Sequence, residues 1–495
     1  MVDKHIRLSL FCGCAGERDG DPLEHIAASD ILRRLEFDNP WWAFRSGTRV
    51  RFRHPPQRGF ARDFAARALD AALDVPLIAA GPPGAGKTIV LRQALAAVVR
   101  AGVSPMRIAY LSLGAPVFSG EDLATLADRV LDRFAYGRDE KVFLFLDDLD
   151  YVADGVGQLA ALQSRLPNAR LIASLSSGAP RLTPGRADID SDGGAGAVEV
   201  RILPPLSFAE FMGFRRTDTG GVLPEAGSSL PLDAGRIAAL NDEFARYVSF
   251  GGFPSGIAAK REDEAPPALV RDALLHDVLH RDLAAFAGVI EPRELGRLFA
   301  VLARNTGGEA AIEDLAKATG VAKNTLRKYL DFLEGAFLIR RVPRLNRDGR
   351  PFQRQVLFKV YLTSPTLYTA LFGPLAPDSP DYARLVETAV VSQCFATGLA
   401  DRLAYASWKG GMVDLVLLDK PDGRPEQLFQ FDWSGAVTAS DNGPDTMVNF
   451  AVRTNPDARM TLLTQNRGGP ARRGGLDLTL VPAALYAYWL GTRKG

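Results

Sequence analysis

Cysteine is nearly absent from this chain: three residues among 495, Cys12, Cys14 and Cys394. Three thiols cannot form a disulfide framework, and they fit a reducing compartment, so the expected location is the cytoplasm. Cys12-Gly13-Cys14 has the look of half a metal site, but no second cysteine pair follows and His25 is a poor partner. Charge of one sign is also missing. The formal net charge is +1, so no global field argues for nucleic acid or acidic lipid, and any such case must be local. No run approaches the ~18–20 apolar residues of a membrane span. The apolar stretch in the first twenty residues is too short and interrupted for a signal peptide. A soluble protein with no membrane partner is expected.

What is present is ordinary globular material, 47% hydrophobic and 24% charged, in a length that suggests three or more domains. The most informative stretch is Gly81-Pro82-Pro83-Gly84-Ala85-Gly86-Lys87-Thr88. It follows the apolar run Leu77–Ala80 and precedes a helix-compatible run from Ile89 to Arg100. Strand, glycine-rich loop and helix in this spacing make a phosphate-binding loop. The glycines let backbone N–H groups approach a polyphosphate. Lys87 would meet the β- and γ-phosphates, Thr88 would offer its hydroxyl to Mg²⁺, and the helix would point its positive end at the same anion. Gly81 through Ile89 is therefore the expected ATP-binding segment.

From Phe60 to about Pro205, helical and strand patterns alternate as in a parallel-sheet domain. Strands are expected at Leu77–Ala80, Arg107–Leu113, Val142–Leu146, Leu171–Leu175 and Val198–Leu203. The third ends in Asp147-Asp148, a Walker B pattern about 60 residues after the loop with one strand between. Asp147 would hold Mg²⁺ through water, and Asp148 would orient or deprotonate the attacking water. After the fourth strand, Ser174 or Ser176 would sense the γ-phosphate, with Ser176 the catalytic candidate beside Lys87 and Asp148. Residues 179–197, rich in Gly, Pro and Asp and containing Arg181 and Arg186, read as a mobile loop. Upstream, Ile26–Phe37 has helical spacing, and Trp41-Trp42 would pack the arm onto the core. Five arginines, Arg45, Arg49, Arg51, Arg53 and Arg58, suggest a basic patch beside them.

Downstream, residues 206–290 read as mostly helical. The stretch from Glu294 reads as helix, helix, turn and helix, followed by a strand at Phe337–Val342 and a wing-like loop bearing Arg344, Arg347 and Arg350. Between Lys323 and Arg350 stand eight basic residues against three acids. Lys323, Arg327 and Lys328 on the third helix are the candidate DNA-binding residues. Winged helices also dock proteins, so a protein partner is the other expectation.

These motifs resemble those of bacterial and archaeal AAA-type ATPases that carry a C-terminal domain similar to a degenerate restriction-endonuclease fold. The resemblance rests on Gly81–Thr88, Leu146-Asp147-Asp148 and Ser176-Ser177, then on Leu203-Pro204-Pro205-Leu206-Ser207-Phe208-Ala209-Glu210-Phe211. It continues through Gly251-Gly252-Phe253-Pro254, Arg281-Asp282 and the winged-helix-like stretch, covering roughly residues 35–490. It implies an α/β fold class: a P-loop NTPase parallel sheet of the additional-strand kind, with a helical lid, a winged helix and a restriction-endonuclease-like C-terminal α/β domain. The expected divisions are an arm at 1–60, the ATPase core at 61–205, the lid at 206–290, the winged helix at 291–350 and the nuclease-like domain at 351–495. Gly251–Pro254 is expected to be a plain turn between lid helices.

Two departures matter. The family's second Walker B acid is Glu, and Asp148 is one methylene shorter, so slow hydrolysis is expected. In the C-terminal domain, Glu387 and Asp414 match the two metal-binding acids of a nuclease, but the Glu-x-Lys position reads Gln430-Phe431-Asp432, and nothing nearby in sequence replaces the lysine. The expected function is an ATP- and Mg²⁺-dependent switch that positions a DNA- or protein-binding winged helix and an inactive nuclease-like domain. The alternatives are a DNA-binding regulator with ATP as a structural ligand, and an ATP-coupled nuclease. Oligomers are compatible with the sequence, which identifies no arginine finger.

Overall fold

The computed structural model describes residues 27–43, 57–176, 185–191, 194–215, 233–258, 291–420, 423–435 and 445–493. Cys12, Cys14, His25, Arg45, Arg49, Arg51, Arg53, Arg181 and Arg281-Asp282 lie outside the described residues.

The chain builds a mixed α/β fold around two sheets. The first has six strands in the order β2-β3-β4-β1-β6-β5, where β1 is Leu77–Ala80, β2 Ile108–Ser112, β3 Phe143–Asp147, β4 Arg170–Leu175, β5 Gly185–Ser191 and β6 Gly194–Ile202. Five are parallel and β5 runs antiparallel beside β6. Strands β1 and β3 are buried along their whole length, as continuous apolar runs covered on both faces require. β4 lies between β1 and β3, so the strand carrying the acids does not neighbour the strand that feeds the glycine loop. The carboxyl ends of β1, β3 and β4 fall at one edge of the sheet, the place where open α/β sheets take ligands.

The stretch 179–197, read above as a mobile loop, contributes instead to an edge hairpin, β5–β6. Its glycines have a packing reason: a Cβ at Gly196 would stand 3.2 Å from the Cβ of Ala160 on α5, Gly155–Arg165.

The N-terminal arm covers the opposite edge. Helix α1, Ala28–Asp38, buries Ile31 and Leu35, and a 3₁₀ turn at Pro40–Ala43 buries Trp41 and Trp42. Both indole N–H groups donate to the carbonyl of Ile108, at 3.0 and 2.9 Å. The tryptophans thus pack the arm onto β2.

The second sheet has nine strands in the order β14-β15-β13-β12-β11-β10-β8-β9-β7, where β7 is Glu309–Ala311, β8 Ile339–Leu345, β9 Leu357–Leu362, β10 Leu403–Trp408, β11 Gly411–Leu418, β12 Pro425–Asp432, β13 Arg459–Thr464, β14 Gly469–Arg473 and β15 Leu476–Pro482. Helices α9 (Pro292–Arg304), α10 (Ile312–Thr319) and α11 (Lys323–Gly335) precede the hairpin of β8, Ile339–Leu345, and β9, Leu357–Leu362. The expected boundary at residue 350 therefore cuts between two strands of one hairpin. β8 also pairs in parallel with β10, Leu403–Trp408, so the helical unit and the C-terminal domain share one continuous sheet. The described part of the expected lid joins them. Phe208, Phe244 and Tyr247 lie in the same apolar core as Leu298, Leu330, Val390 and Leu485. Phe208 packs edge-on to Tyr488, and Phe244 packs against Trp433. A separate core holds Leu35, Trp41 and the first sheet through Leu203. A third core, with Ala404, Val416, Leu428 and Phe450, covers the other face of the second sheet. The two sheets with their cores thus make two bodies, and the chain crosses between them at Pro204-Pro205.

Candidate nucleotide site

The glycine loop leaves β1 at Gly81, whose N–H donates to Leu175 O at 3.1 Å. On the other side, Leu203 N–H donates to Ala80 O at 2.6 Å. A side chain at Gly81 would put its Cβ 2.2 Å from Leu203 O, so only glycine fits. Gly84 and Gly86 turn through positive φ, 77° and 100°, which opens a run of backbone N–H groups into an anion-binding concavity. Helix α3, Lys87–Arg100, starts directly after Gly86 and adds its positive end. Pro82, Pro83 and Ala85 are buried in the loop, while Thr88 and Ile89 are half-buried on the first turn. Lys87 is buried, and its ammonium donates to the carbonyls of Gly81 at 2.9 Å and Pro82 at 3.0 Å.

An open apolar cleft adjoins Ala85 and Gly86. Ile89 and Val90 of α3 form one wall, and Phe214, Pro254 and Ile257 of the second body form another. Its apolar lining suits a flat heterocycle beside a phosphate site.

Asp147 ends β3 almost fully buried. One carboxylate oxygen accepts from the Ser174 hydroxyl at 2.5 Å and the other accepts from the Tyr110 hydroxyl at 2.5 Å. Each oxygen keeps a further lone pair, which suits a carboxylate holding a hydrated cation. Burial first, and the Asp147 charge next, push the Tyr110 phenol well above its usual value, so it stays a donor. Asp148 follows in a left-handed conformation, φ 61°, and its N–H donates to Ser174 Oγ at 2.8 Å. Of the two serines, Ser174 rather than Ser176 touches Asp147; Ser176 donates its N–H to Asp150 at 2.6 Å.

Three features of the site escaped the sequence reading. Arg58 is no part of a surface basic patch: it is buried, forks onto Glu210 with two 2.9 Å bonds, and donates to Ala85 O and Pro204 O. Glu210 and Ser207 cap the helix after Pro205 reciprocally, an S-x-x-E box legible in the sequence. Finally, Gly251–Pro254 is more than a plain turn. Phe253 Cδ1 lies 3.5 Å from where a Gly84 Cβ would stand, and Pro254 Cγ lies 3.6 Å from that of Gly86. This turn rests on the glycine loop.

Residues 241–378 match a domain of unknown function (DUF8612). That segment begins inside α7, Ala234–Arg246, and runs through β9, across the expected domain boundaries. An uncharacterized protein of Haemophilus influenzae is 24% identical over 285 residues, 56% of this chain and 64% of that protein. Uncharacterized proteins of Mycobacterium bovis and Mycobacterium tuberculosis are each 30% identical over 124 residues, 25% of this chain and 27% of theirs. The chain thus spans less than two thirds of the length of these relatives. Among solved structures, that of C. elegans PCH-2 gives a TM-score of 0.24 at 16% identity, over 40% of this chain and 57% of that one, too low to argue from.

The residues of two other expected sites lie as follows. Lys323 pairs with Glu313 at 2.9 Å and Arg327 donates to Asn324 at 2.8 Å, and both stay exposed beside Lys328. Three half-exposed basic residues of the same cluster are bonded within the fold. Arg340 pairs with Asp401, Arg341 with Asp331 and Glu334, and Arg344 donates to Ser407 O. In the C-terminal domain, Glu387 on α13, Tyr382–Ala396, and Asp414 on β11, Gly411–Leu418, converge. A lysine reaches these two residues from a distant strand. Lys359 on β9, 3% exposed, donates to Glu387 at 2.9 Å and to the Asp414 carbonyl at 3.0 Å, and the Tyr361 hydroxyl donates to the same Glu387 oxygen at 2.5 Å. Asp432 is buried nearby in sequence, and no group of three metal-ligating side chains occurs among the described residues. No helix among them is long and apolar enough to cross a membrane.

Proposed function

We propose that this protein binds ATP with Mg²⁺, hydrolyses it slowly, and uses the bound nucleotide to set the position of its second body. The carrying observation is that the glycine loop lies on the seam between the bodies, with Phe253 and Pro254 of one resting on Gly84 and Gly86 of the other. The seam is wired into the second body. Gly252 O accepts from Leu206 N–H at 2.8 Å, and Gly252 N–H donates to Thr366 Oγ1 at 3.0 Å. A π-turn at Tyr247–Gly251 carries Tyr247, whose hydroxyl donates to Leu206 O and accepts from Gln393 on α13.

In this reading the loop N–H groups and Lys87 bind the phosphates, and the apolar cleft takes the base. Thr88 and Asp147 would hold Mg²⁺, which when bound would neutralise phosphate charge. Asp148 would orient the attacking water, its short side chain keeping turnover slow.

Hydrogen exchange tests the switch. A nonhydrolysable ATP analogue with Mg²⁺ is expected to slow exchange in residues 247–254 and in α13. Gly252→Ala, whose Cβ would stand 2.0 Å from Ser364 Oγ, is expected to keep nucleotide binding and lose the α13 response. Bound nucleotide with unchanged exchange across α13 would sink the switch. Binding without any phosphate release would favour ATP as a structural ligand.

The partner favoured by chemistry is DNA, met by Lys323, Arg327 and Lys328 with the exposed wing arginines Arg347, Arg350 and Arg354. Arg327→Ala with Lys328→Ala is expected to weaken duplex binding and to flatten the slope of log affinity against log salt by about 2. A gel shift identical to wild type would move the proposal to a protein partner. We propose no nuclease chemistry for the C-terminal domain: an ammonium and a phenol already engage Glu387, and Gln430 replaces an acid with a neutral amide.

A further inference from the structure

Strand β2 is an edge strand, and its outer side is covered by the arm rather than by another strand. The Asn39 side chain imitates that missing strand. Its amide N–H donates to Tyr110 O at 2.7 Å, and its amide oxygen accepts from Tyr110 N–H at 2.7 Å. The amide is itself fixed, since its nitrogen also donates to Leu35 O at 2.8 Å at the end of α1. Asn39 is fully buried, so these bonds form away from competing water. Ile108 O is taken by both indoles, so Ile108 O and both backbone groups of Tyr110 are met by arm side chains. The arm therefore fixes the backbone of Tyr110, the β2 residue whose hydroxyl donates to Asp147. The Tyr110 ring is held as well, with the Arg92 guanidinium 5.3 Å from its centroid.

We propose that Tyr110 is a positioning residue for magnesium and that Asn39 extends this role into the arm: the arm holds Tyr110, and the Tyr110 hydroxyl aims the Asp147 carboxylate. The geometry singles out this pair because Asp147 has two described side-chain donors on its two oxygens, and only Ser174 lies on β4, the strand beside β1. Removing Tyr110 Oη frees one carboxylate oxygen to rotate out of the aim that Ser174 alone cannot hold. This inference rests on the reading of Asp147 as the magnesium-side acid.

The test is the Mg²⁺ dependence of the full-length protein, read as ATP hydrolysis and as binding of a fluorescent ATP analogue. Tyr110→Phe is expected to raise the Mg²⁺ concentration for half-maximal hydrolysis about tenfold, the usual effect of losing a partner of a metal ligand. Binding of the analogue in EDTA should stay as in wild type, which a merely structural defect would not allow. Asn39→Ala approaches the same aim from outside the sheet and should shift Mg²⁺ dependence in the same direction. Trp41→Phe removes an arm hydrogen bond that does not reach Tyr110 and should leave it unshifted. Asp147→Asn separates the two layers of argument. If it leaves Mg²⁺ dependence unchanged, the reading of Asp147 fails. If it shifts that dependence while Tyr110→Phe does not, the reading stands and the role of Tyr110 is overturned. An Asn39→Ala variant with wild-type Mg²⁺ dependence, or an equal shift in Trp41→Phe, would overturn the specific role of Asn39.

Discussion

Lys87→Ala is expected to abolish nucleotide-induced stabilisation and to lower phosphate release by about 10³-fold, the scale of losing one preorganised charge at a developing anion. The buried ammonium lies at the mouth of the loop, tethered by the carbonyls of Gly81 and Pro82. Alanine leaves the backbone N–H groups in place but removes the cation that would draw phosphate against them. Wild type should gain about 2.7 kcal/mol of unfolding free energy at a ligand concentration a hundred times Kd, and the variant should gain none. Thermal melts with and without Mg·ATP, beside a phosphate-release assay, read both effects. A variant that melts like wild type in both conditions would remove Lys87 from the site.

The second large effect is expected far from the nucleotide. Lys359→Met keeps the volume of a side chain that is 3% exposed but strips Glu387 of its cation. Breaking a buried pair from one side costs about 3–5 kcal/mol, so the melting temperature of the second body should fall by several degrees. Adding Glu387→Gln should restore much of the loss, because the stranded charge goes with it. pH supplies a second readout. Burial, and then the Glu387 charge, push the Asp414 carboxyl up to about 6, while Lys359 pulls it down. A carboxyl whose folded pKa is raised binds protons more readily folded than unfolded. Stability from this group therefore falls as pH rises from about 4 through 6. Without Lys359 that fall should steepen and reach higher pH. Melts from pH 5 to 8, followed by tryptophan fluorescence, check both points. A variant as stable as wild type at every pH would show that the pair carries no structural charge balance.

The glycine loop and the Asp147-Asp148 strand were legible because their signals are local: fixed glycine spacing between a strand and a helix, and a buried run ending in acids. The helices around Lys323 were legible from apolar spacing for the same reason. Tyr110 gave no such signal, since a tyrosine in a strand reveals its hydroxyl's partner only when β2 is placed beside β3. Lys359 was hidden similarly, lying 55 positions before Asp414 and reaching it across the sheet. The edge hairpin was mistaken for a loop because Gly196 reads as a breaker, although it serves close packing on Ala160. Counting charge between Lys323 and Arg350 overstated the surface field, because acids outside that stretch, Glu313 and Asp401, pair with Lys323 and Arg340. Domain boundaries suffered most. A turn of chain at residue 350 looks like an ending until β9 is seen to pair with β8.

The crossing of the chain at Pro204-Pro205 has a thermodynamic corollary. If a nucleotide tightens the seam by some factor, anything that loosens the seam must weaken the nucleotide by that same factor. A protein gripping only the outer surface of the second body, with a leverage of about 1.4 kcal/mol on the seam, would lower nucleotide affinity tenfold. Such a protein would act as a release factor without touching Lys87, Asp147 or any atom of the site.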